Sequence, residues 1–546
     1  TAYSQSRTDK TLTAGGLYGS SGDGALARLY AFGTTDDMTH YLNEDGSRYR
    51  MFGDRLNPWE ESDNPYWIIN KNKVFDKTTR LTGRSNVKAH ITSWWWINYR
   101  MGIDTYNTDY SKRIAPGGVV KQQWQNGMMS DNTSRYEYLN NSLMTNFNKT
   151  FGDFSFNLLA GLNTDATTTK TNYRMAYNFQ VSDFYSYGNV AATDKKFEYN
   201  TYKKRLVGVY GELRADWKNT VFVTVPGRND WTSTLPKEHR SYFYPSFSGA
   251  LVVSQFLQDK GIWDQDFPIT FAKVRASWAK VGKDTSPYET ATALWPVRSY
   301  TGGIISTGNS WSRGNPYLKP EMTESTEIGL EMRFLHNRIK LDYAYYTNDS
   351  YNQILSPRGS QATGYIFCSY NAGNVYNKGM ELSISGTPIE TKDFSWETGI
   401  NMAGNRGTLE NLMEGMDIMY VTDVQYGTAK AASFSGGSFM AISGSKLQTV
   451  KYLEQYPEGA AGEQMKQNHE KFMGKTILGT DGMPLTDGTT YQVGNREPKF
   501  TGGFNNTLRY KNWTFNMLCE FRVGGDVFNG TKYAMTQAGT SLFSAD

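Results

Sequence analysis

The sequence predicts an all-β protein whose strands form one large antiparallel barrel that crosses a membrane. Three observations predict this fold class. Apolar and polar residues alternate with a period of two along many segments, which is typical of strands with one face in water. Aromatic residues make up 14% of the chain, and tight turns alternate with long polar connections between the strand segments. Transmembrane barrels combine these three features.

The clearest strand pair spans residues 327–345. Apolar residues occupy every second position of residues 327–334 and again of residues 339–345, on either side of a two-residue turn at His336-Asn337. Folding the chain about this turn places every apolar residue opposite another one, so the register is well specified. The predicted pairs are Ile328 with Tyr345, Leu330 with Tyr343, Met332 with Leu341, and Phe334 with Ile339.

The other face of this hairpin is polar. Glu331 would lie opposite Asp342, which is unfavourable because both side chains are acidic. We expect diagonal pairs of Glu331 with Lys340 and of Arg333 with Asp342 to offset the repulsion. A water-filled lumen would tolerate such a face.

The same alternation predicts further strands on both sides of this hairpin. They cover residues 154–162, 272–278, 380–384, 394–402, 504–510 and 513–521, the last two joined by a turn at Lys511-Asn512.

Residues 405–493 lack this alternation and form the longest polar stretch. They contain Asp-Gly turns at Asp481-Gly482 and Asp487-Gly488, and residues 462–472 could form a short helix. We predict a long loop region within the barrel, on its extracellular side. The whole chain, residues 1–546, is then one barrel domain.

Composition and charge exclude several classes of protein. The net charge of +4 comes from 57 basic and 53 acidic residues that are interspersed, so no basic run points to nucleic acid. Cys368 and Cys519 are too few for a disulfide scaffold or a zinc site, and they leave a single disulfide between them open. No segment has the ~18 apolar residues of a membrane helix. The mean hydropathy of −0.60 hides barrel strands, since only every second residue faces lipid.

No motif of enzyme chemistry is found. None of the five histidines has metal-ligand spacing, and there is no serine-nucleophile elbow. Gly474-Lys475-Thr476 resembles the end of a phosphate loop, but His469 stands where the first glycine is required. Adjacent acids such as Asp36-Asp37 and Glu60-Glu61 are expected to be solvated. The sequence therefore predicts no catalytic, cofactor-binding or metal-binding residue and no enzyme; the substrate-binding residues are not predicted.

Three consecutive tryptophans, Trp94-Trp95-Trp96, form the most conspicuous aromatic cluster. Neighbouring residues of a strand point to opposite faces, so the three rings cannot form one platform. An aromatic girdle or packing between strands is favoured over sugar stacking.

Several segments, in order, resemble the SusC/RagA family of TonB-dependent transporters from Bacteroidota outer membranes. They include NPYW at 64–67 and GRNDWTSTLP at 227–236, followed by 241–248, 274–282, 315–321, 326–331, 371–373, 377–382 and 493–504. Physically these are strand and turn signals. Asn315-Pro316 and Lys319-Pro320 should bend the chain into a strand at Thr326, and residues 377–379 should form a turn before a strand at Met380.

The resemblance implies a barrel of about 22 strands with a plugged lumen. It also implies active import of an oligosaccharide or oligopeptide, powered by the TonB–ExbB–ExbD complex, with a SusD-like lipoprotein as a lid and a dimer of such pairs. Polar residues such as Glu331, Arg333, Glu381 and Glu520 would line the path. The chain shows neither a plug domain nor a TonB-binding motif, and it has no signal peptide, so we expect it to be the barrel portion of a longer protein.

Two other functions fit the same alternation. A secreted soluble β-protein, such as a glycan-binding adhesin or a polysaccharide lyase, would bury both faces of its strands. A passive porin would have a barrel without a plug. Membrane fractionation and the full-length gene would distinguish these from an active transporter.

Overall fold

The computed structural model describes residues 1–11, 24–33, 36–51, 61, 63–263, 267–298, 305–309, 312–426, 429–453 and 455–542. One antiparallel sheet of 16 strands dominates it. In pairing order, and numbered along the chain, its strands are β1 (Ala2–Lys10), β2 (Lys73–His90), β3 (Trp95–Ile114), β4 (Met128–Phe151), β5 (Phe154–Tyr177), β6 (Lys195–Trp217), β7 (Val221–Thr232), β8 (Ser241–Val252), β9 (Ile269–Lys283), β13 (Glu321–Phe334), β14 (Ile339–Tyr351), β18 (Asn374–Glu390), β19 (Phe394–Asn411), β25 (Pro498–Tyr510) and β26 (Trp513–Gly524), with β22 (Gly437–Ser438) beside β19.

Shorter strands lie in the connections between these. They are β10 (Leu294–Arg298), β11 (Ile305–Asn309), β12 (Ser312–Arg313), β15 (Ile354–Leu355), β16 (Phe367–Cys368), β17 (Tyr370–Asn371), β20 (Ile418–Tyr426), β21 (Ala429–Phe434), β23 (Ala441–Gly444) and β24 (Tyr491–Asn495). Strands β20, β21, β23 and β24 form a separate four-stranded sheet.

Helices are short and few. They are α1 (Ala25–Ala31), α2 (Pro65–Lys71), α3 (Val253–Asp259), α4 (Ala460–Phe472) and α5 (Gly530–Gln537), with 3₁₀ turns at Gln122–Trp124, Ala192–Asp194 and Gln361–Thr363. No helix in the described ranges has both the length and the apolar character needed to cross a bilayer.

The predicted hairpin is confirmed. Strands β13 and β14 pair with Ile328 opposite Tyr345 and Phe334 opposite Ile339, and Arg338 N–H closes the turn on the carbonyl of Leu335 at 3.2 Å. The predicted diagonal ion pairs are wrong. Because a third strand, β9, lies beside β13, Asp342 binds an arginine from it, and the partner of Glu331 lies two residues along its own strand.

One face of the main sheet is apolar and open. Ile328 is 56% exposed and Met380 is 55% exposed, and the alternate residues of the neighbouring strands are exposed in the same way. No second sheet covers these side chains in the described part of the chain. An uncovered apolar face of this extent requires an apolar surrounding, which a bilayer provides and a soluble sandwich does not.

Connections at the two ends of the strands differ in length. Residues 152–153, 335–338, 391–393 and 511–512 make tight turns at one end, whereas residues 284–320, 352–373 and 412–497 make long connections at the other. One longer connection, which contains α3, lies at the tight-turn end. This difference in connection length between the two ends agrees with the prediction from the sequence, and outer-membrane barrels have the same unequal loops.

The long region 405–493 begins later than predicted and is more ordered. Strand β19 continues to Asn411, and the remainder builds the four-stranded sheet and α4, which confirms the predicted helix. Gly482 and Gly488 both have φ of +75°, as the two Asp-Gly turns require. Its extracellular position stays a prediction.

Two predicted turn signals have other roles. Residues 377–379 lie inside β18, and the strand predicted to begin at Thr326 begins at Glu321. Gly379 is needed for packing: a Cβ there would come within 2.5 Å of the ring of Tyr346 on the neighbouring strand. A glycine that admits a bulky neighbour is indistinguishable in sequence from a turn glycine.

Strand length varies widely around the sheet. Strands β4 and β5 have 24 residues each, whereas β7 and β8 have 12. About 9–11 residues cross a bilayer, so the longest strands continue well past it toward the long connections.

Candidate functional site

The opposite face of the main sheet carries the polar residues and is the candidate site. On β9, Arg275 binds both carboxylate oxygens of Asp342 at 3.0 and 3.2 Å and reaches Glu327 at 3.4 Å. Its guanidinium crosses β13 above Gly329, where a Cβ would lie 2.4 Å from the Arg275 Nε. The arginine thus joins three strands through charge-assisted hydrogen bonds.

All of the predicted lumen residues lie on this face. Arg333 binds Glu331 at 2.9 Å along β13. Glu381 and Glu520 line a depression of about 800 Å³ across β18, β19, β25 and β26, together with Arg522. Several of its lining residues are small, which leaves this volume open; they include Ser383, Ala403, Thr501 and Gly503.

The GRNDW segment forms a polar network near the loop end of β7. Arg228 binds Asp230 at 2.8 Å, and the hydroxyl of Tyr244 donates to the same carboxylate. Asp284 accepts hydrogen bonds from Lys204 and Thr232, both at 2.5 Å. The segment therefore links strands β6, β7 and β8 to the connection after β9.

The NPYW segment anchors the connection between β1 and β2. Asn64 caps α2 by accepting from the N–H of Tyr66 at 2.8 Å, and Trp67 is 2% exposed. Asp63 forms a buried pair with Arg48 at 3.2 Å and accepts from the N–H of Val119. The expectation that Glu61 is solvated is wrong, because its carboxylate is buried and binds Arg50 at 3.0 Å. Burial raises the pKa of Asp63, and the charge of Arg48 opposes that rise only in part.

The tryptophan cluster packs between strands, as predicted. Trp95 stacks on Phe147 of β4 with centroids 5.7 Å apart, and Trp96 lies under the ammonium of Lys88 at 4.4 Å. Trp94 precedes the strand, so it is free of the alternation and also contacts Phe147, at 6.1 Å. The expectation that neighbouring rings face apart thus holds for Trp95 and Trp96 but not for Trp94.

The polar face can bind ligands by hydrogen bonds and charge. Among the described residues no group of three or more His, Cys, Asp or Glu side chains could hold a metal, and Cys368 and Cys519 are free thiols. Sequence reasoning missed Arg275 as the partner of Asp342. The sequence could have indicated that Arg275 faces the lumen, because this residue alternates with the apolar residues of β9.

Comparison with known proteins places the chain in a family. Residues 9–540 match the family model described as TonB dependent receptor-like, beta-barrel. TonB-dependent receptor P3 of Formosa agariphila is 26% identical over 533 residues, which cover 94% of this chain and 50% of that receptor. TonB-dependent receptor SusC of Bacteroides thetaiotaomicron is 28% identical over 232 residues, which cover 40% of this chain and 22% of that receptor.

Solved structures agree on the fold. The RagAB peptide transporter superposes with a TM-score of 0.69 at 15% identity, covering 88% of this chain and 51% of that chain. The chain thus spans about half the length of the proteins it matches. The resemblance to the SusC/RagA family is confirmed. The chain belongs to the family of TonB-dependent receptor-like β-barrels, which are proteins of the bacterial outer membrane and not enzymes.

Proposed function

We propose that the complete protein imports a nutrient oligomer, an oligosaccharide or oligopeptide, across the outer membrane with energy delivered through TonB. The observation that carries this proposal is the division of the main sheet into an uncovered apolar face and a charged face with a depression of about 800 Å³. The apolar face would contact lipid, and the polar face would offer hydrogen bonds to a solute that passes through the barrel.

The proposed partners follow from the relatives and from the loops. A SusD-like lipoprotein would cover the long-connection end, because two of the relatives are SusC and a RagAB transporter. The TonB–ExbB–ExbD complex would act from the tight-turn end. Pairs of transporter and lipoprotein would assemble as a dimer.

Uptake by the intact organism tests the proposal. Cells with the full-length gene and cells lacking it would receive fluorescent oligosaccharides and oligopeptides that are too large for porins. We expect the gene to be required for entry of one class, and entry to stop when TonB is deleted or a protonophore is added. Surface binding should survive both treatments, because binding needs no energy.

Each alternative gives a different result. Entry that continues without TonB would identify a passive porin and overturn active import. A product that stays in the soluble fraction and shows no heat-dependent gel migration would identify a secreted protein. Retention of the lipoprotein during purification of the full-length transporter tests the lid separately.

A further inference from the structure

A second depression on the polar face lies above Gly102 of β3 and has a volume of about 450 Å³. It is open because glycine has no side chain there: the nearest atom to a Cβ at Gly102 would be the Cβ of Asn140, 4.0 Å away. Arg84 and Arg100 border the depression from β2 and β3, and Asn140 and Asn163 border it from β4 and β5.

Both arginines have unused donors. In the described ranges Arg84 makes no hydrogen bond or ion pair, and Arg100 makes one, from Nε to Asn86 at 3.3 Å. The carboxylates nearby are already occupied. Asp104 binds Arg80 through two parallel contacts of 2.8 and 2.6 Å.

The second carboxylate, Asp165, accepts three hydrogen bonds. They come from the hydroxyl of Tyr138 and from the amides of Asn140 at 2.8 Å and Asn163 at 2.5 Å. The depression therefore presents two guanidinium groups with no carboxylate left to pair with them. Such groups favour a planar or tetrahedral anion, which accepts several N–H donors at once.

An aromatic wall stands next to the depression, toward the long connections. Tyr106 and Tyr136 stack with their centroids 4.7 Å apart, and the guanidinium of Arg80 lies 6.0 Å from the ring of Tyr106. Neither tyrosine hydroxyl has a partner within the described part of the chain. The wall thus offers apolar ring surface and hydroxyl groups together, which suits the mixed surface of a sugar.

The position of the depression along the strands can be judged from the exposed apolar residues on the other face. On the apolar face, Ile103 and Leu139 are the last exposed large apolar residues of β3 and β4, and the next outward positions are Thr105 and Glu137. Gly102 therefore lies level with the end of the exposed apolar residues on β3 and β4, and the tyrosines lie further toward the long connections. A ligand entering from the long-connection end meets the tyrosines first and the arginines next.

We propose that this depression is a subsite for an anion-bearing oligosaccharide, with a carboxylate or sulfate group held by Arg84 and Arg100 and a sugar unit against Tyr106 and Tyr136. This inference rests on the proposed import function and names its substrate class. A peptide fits less well, because it is recognised largely through main-chain hydrogen bonds. Strands β3, β4 and β5 are paired on both sides here, so they have no free backbone groups to offer.

Binding to the full-length transporter in detergent tests the subsite. The probes are an oligogalacturonate, a sulfated galactan oligosaccharide, a neutral galactan oligosaccharide of equal length, and an acidic peptide. We expect at least one anionic oligosaccharide to bind more tightly than the neutral one, and added salt to weaken that preference. The anionic probe that binds distinguishes a carboxylate from a sulfate.

Variants assign the preference to the depression. Arg84→Gln and Arg100→Gln should each weaken binding of the anionic probe about tenfold or more, as loss of a charged hydrogen bond predicts, while Gly102→Leu should fill the space. Arg214→Gln is the matched control, because it removes the same charge from the same face near the tight turns. Heat-dependent gel migration verifies folding, and the two arginine variants decide the result if Gly102→Leu misfolds.

Three results would overturn the subsite: no anionic oligosaccharide binds, the arginine variants bind it as wild type does, or the acidic peptide binds better. The import function is judged separately. Energy-dependent uptake of a neutral or peptide probe would sustain import while refuting this substrate class.

Discussion

A single charge placed on the apolar face of the main sheet should destabilise the barrel strongly. Val274 lies in the middle of β9, with Leu251 and Leu330 opposite it on the adjacent strands. It is 39% exposed, so arginine would meet no steric obstacle there. Its effect therefore reports the surrounding medium and not the packing.

The size of the effect distinguishes lipid from water. An arginine near the middle of the bilayer costs about 2–4 kcal/mol in the free energy of unfolding. The same change at a partly exposed site in water is expected to cost at most about 0.5 kcal/mol. Ser277→Arg is the control, because Ser277 lies three residues away on the polar face of the same strand, opposite Glu327.

Denaturant unfolding in phospholipid vesicles measures both variants. The full-length protein is unfolded with guanidinium chloride, and tryptophan fluorescence and heat-dependent gel migration report the folded fraction. We expect Val274→Arg to lower the free energy of unfolding by about 2–4 kcal/mol relative to wild type, and Ser277→Arg to change it little. Equal effects of the two arginines would refute the assignment of the apolar face to lipid.

Three further predictions concern packing and charge. Gly379→Ala should cost about 1–3 kcal/mol, since its Cβ would lie 2.5 Å from the ring of Tyr346 and 2.8 Å from the carbonyl oxygen of Gly404. In the same unfolding assay Tyr346→Ala should relieve only the first of these contacts and so restore stability in part. Arg48→Met should cost at most about 3–5 kcal/mol locally because it removes the cation that binds buried Asp63, while the charge of Arg28 still acts on that carboxylate. Hydrogen exchange of residues 63–72 would reveal the loss, and unchanged exchange would contradict the pairing. The hydrogen bond from Tyr491 lowers the pKa of Asp487 below its usual 3.8. The ionised carboxylate therefore contributes fully to the stability of this turn above pH 3.8, and the contribution is lost as the pH falls through the lowered pKa. Protection of residues 487–491 from hydrogen exchange, expressed relative to the intrinsic rate at each pH, should therefore fall at low pH in wild type but stay constant over this range in Asp487→Asn.

The sequence predicted the strand pattern and one hairpin register well, because both depend on neighbours along the chain. The alternation of Ile328, Leu330 and Met332 can place them opposite only one set of partners without exposing polar groups to lipid. Their observed partners are the predicted ones. The same reasoning recovered the turn at Lys511-Asn512, where Tyr510 pairs with Trp513.

Contacts with a third strand could not be predicted in this way. The carboxylate of Asp342 binds Arg275, which is distant in sequence and reaches it across an intervening strand. Gly379 looked like a turn residue because the requirement that it meets, room for Tyr346, comes from another strand. Partners of this kind are fixed by the order of strands in the sheet, which a pattern of alternation leaves undetermined.

The length of strands β4 and β5 has a consequence for surface exposure. At about 3.3 Å per residue, 24 residues extend about 80 Å along the strand, and a tilt of about 40° still leaves about 60 Å of height. The apolar band of an outer-membrane barrel is about 25 Å tall. On this flank the paired strands therefore project well beyond the apolar band, so an antibody that recognises the folded protein can bind them without contacting lipid.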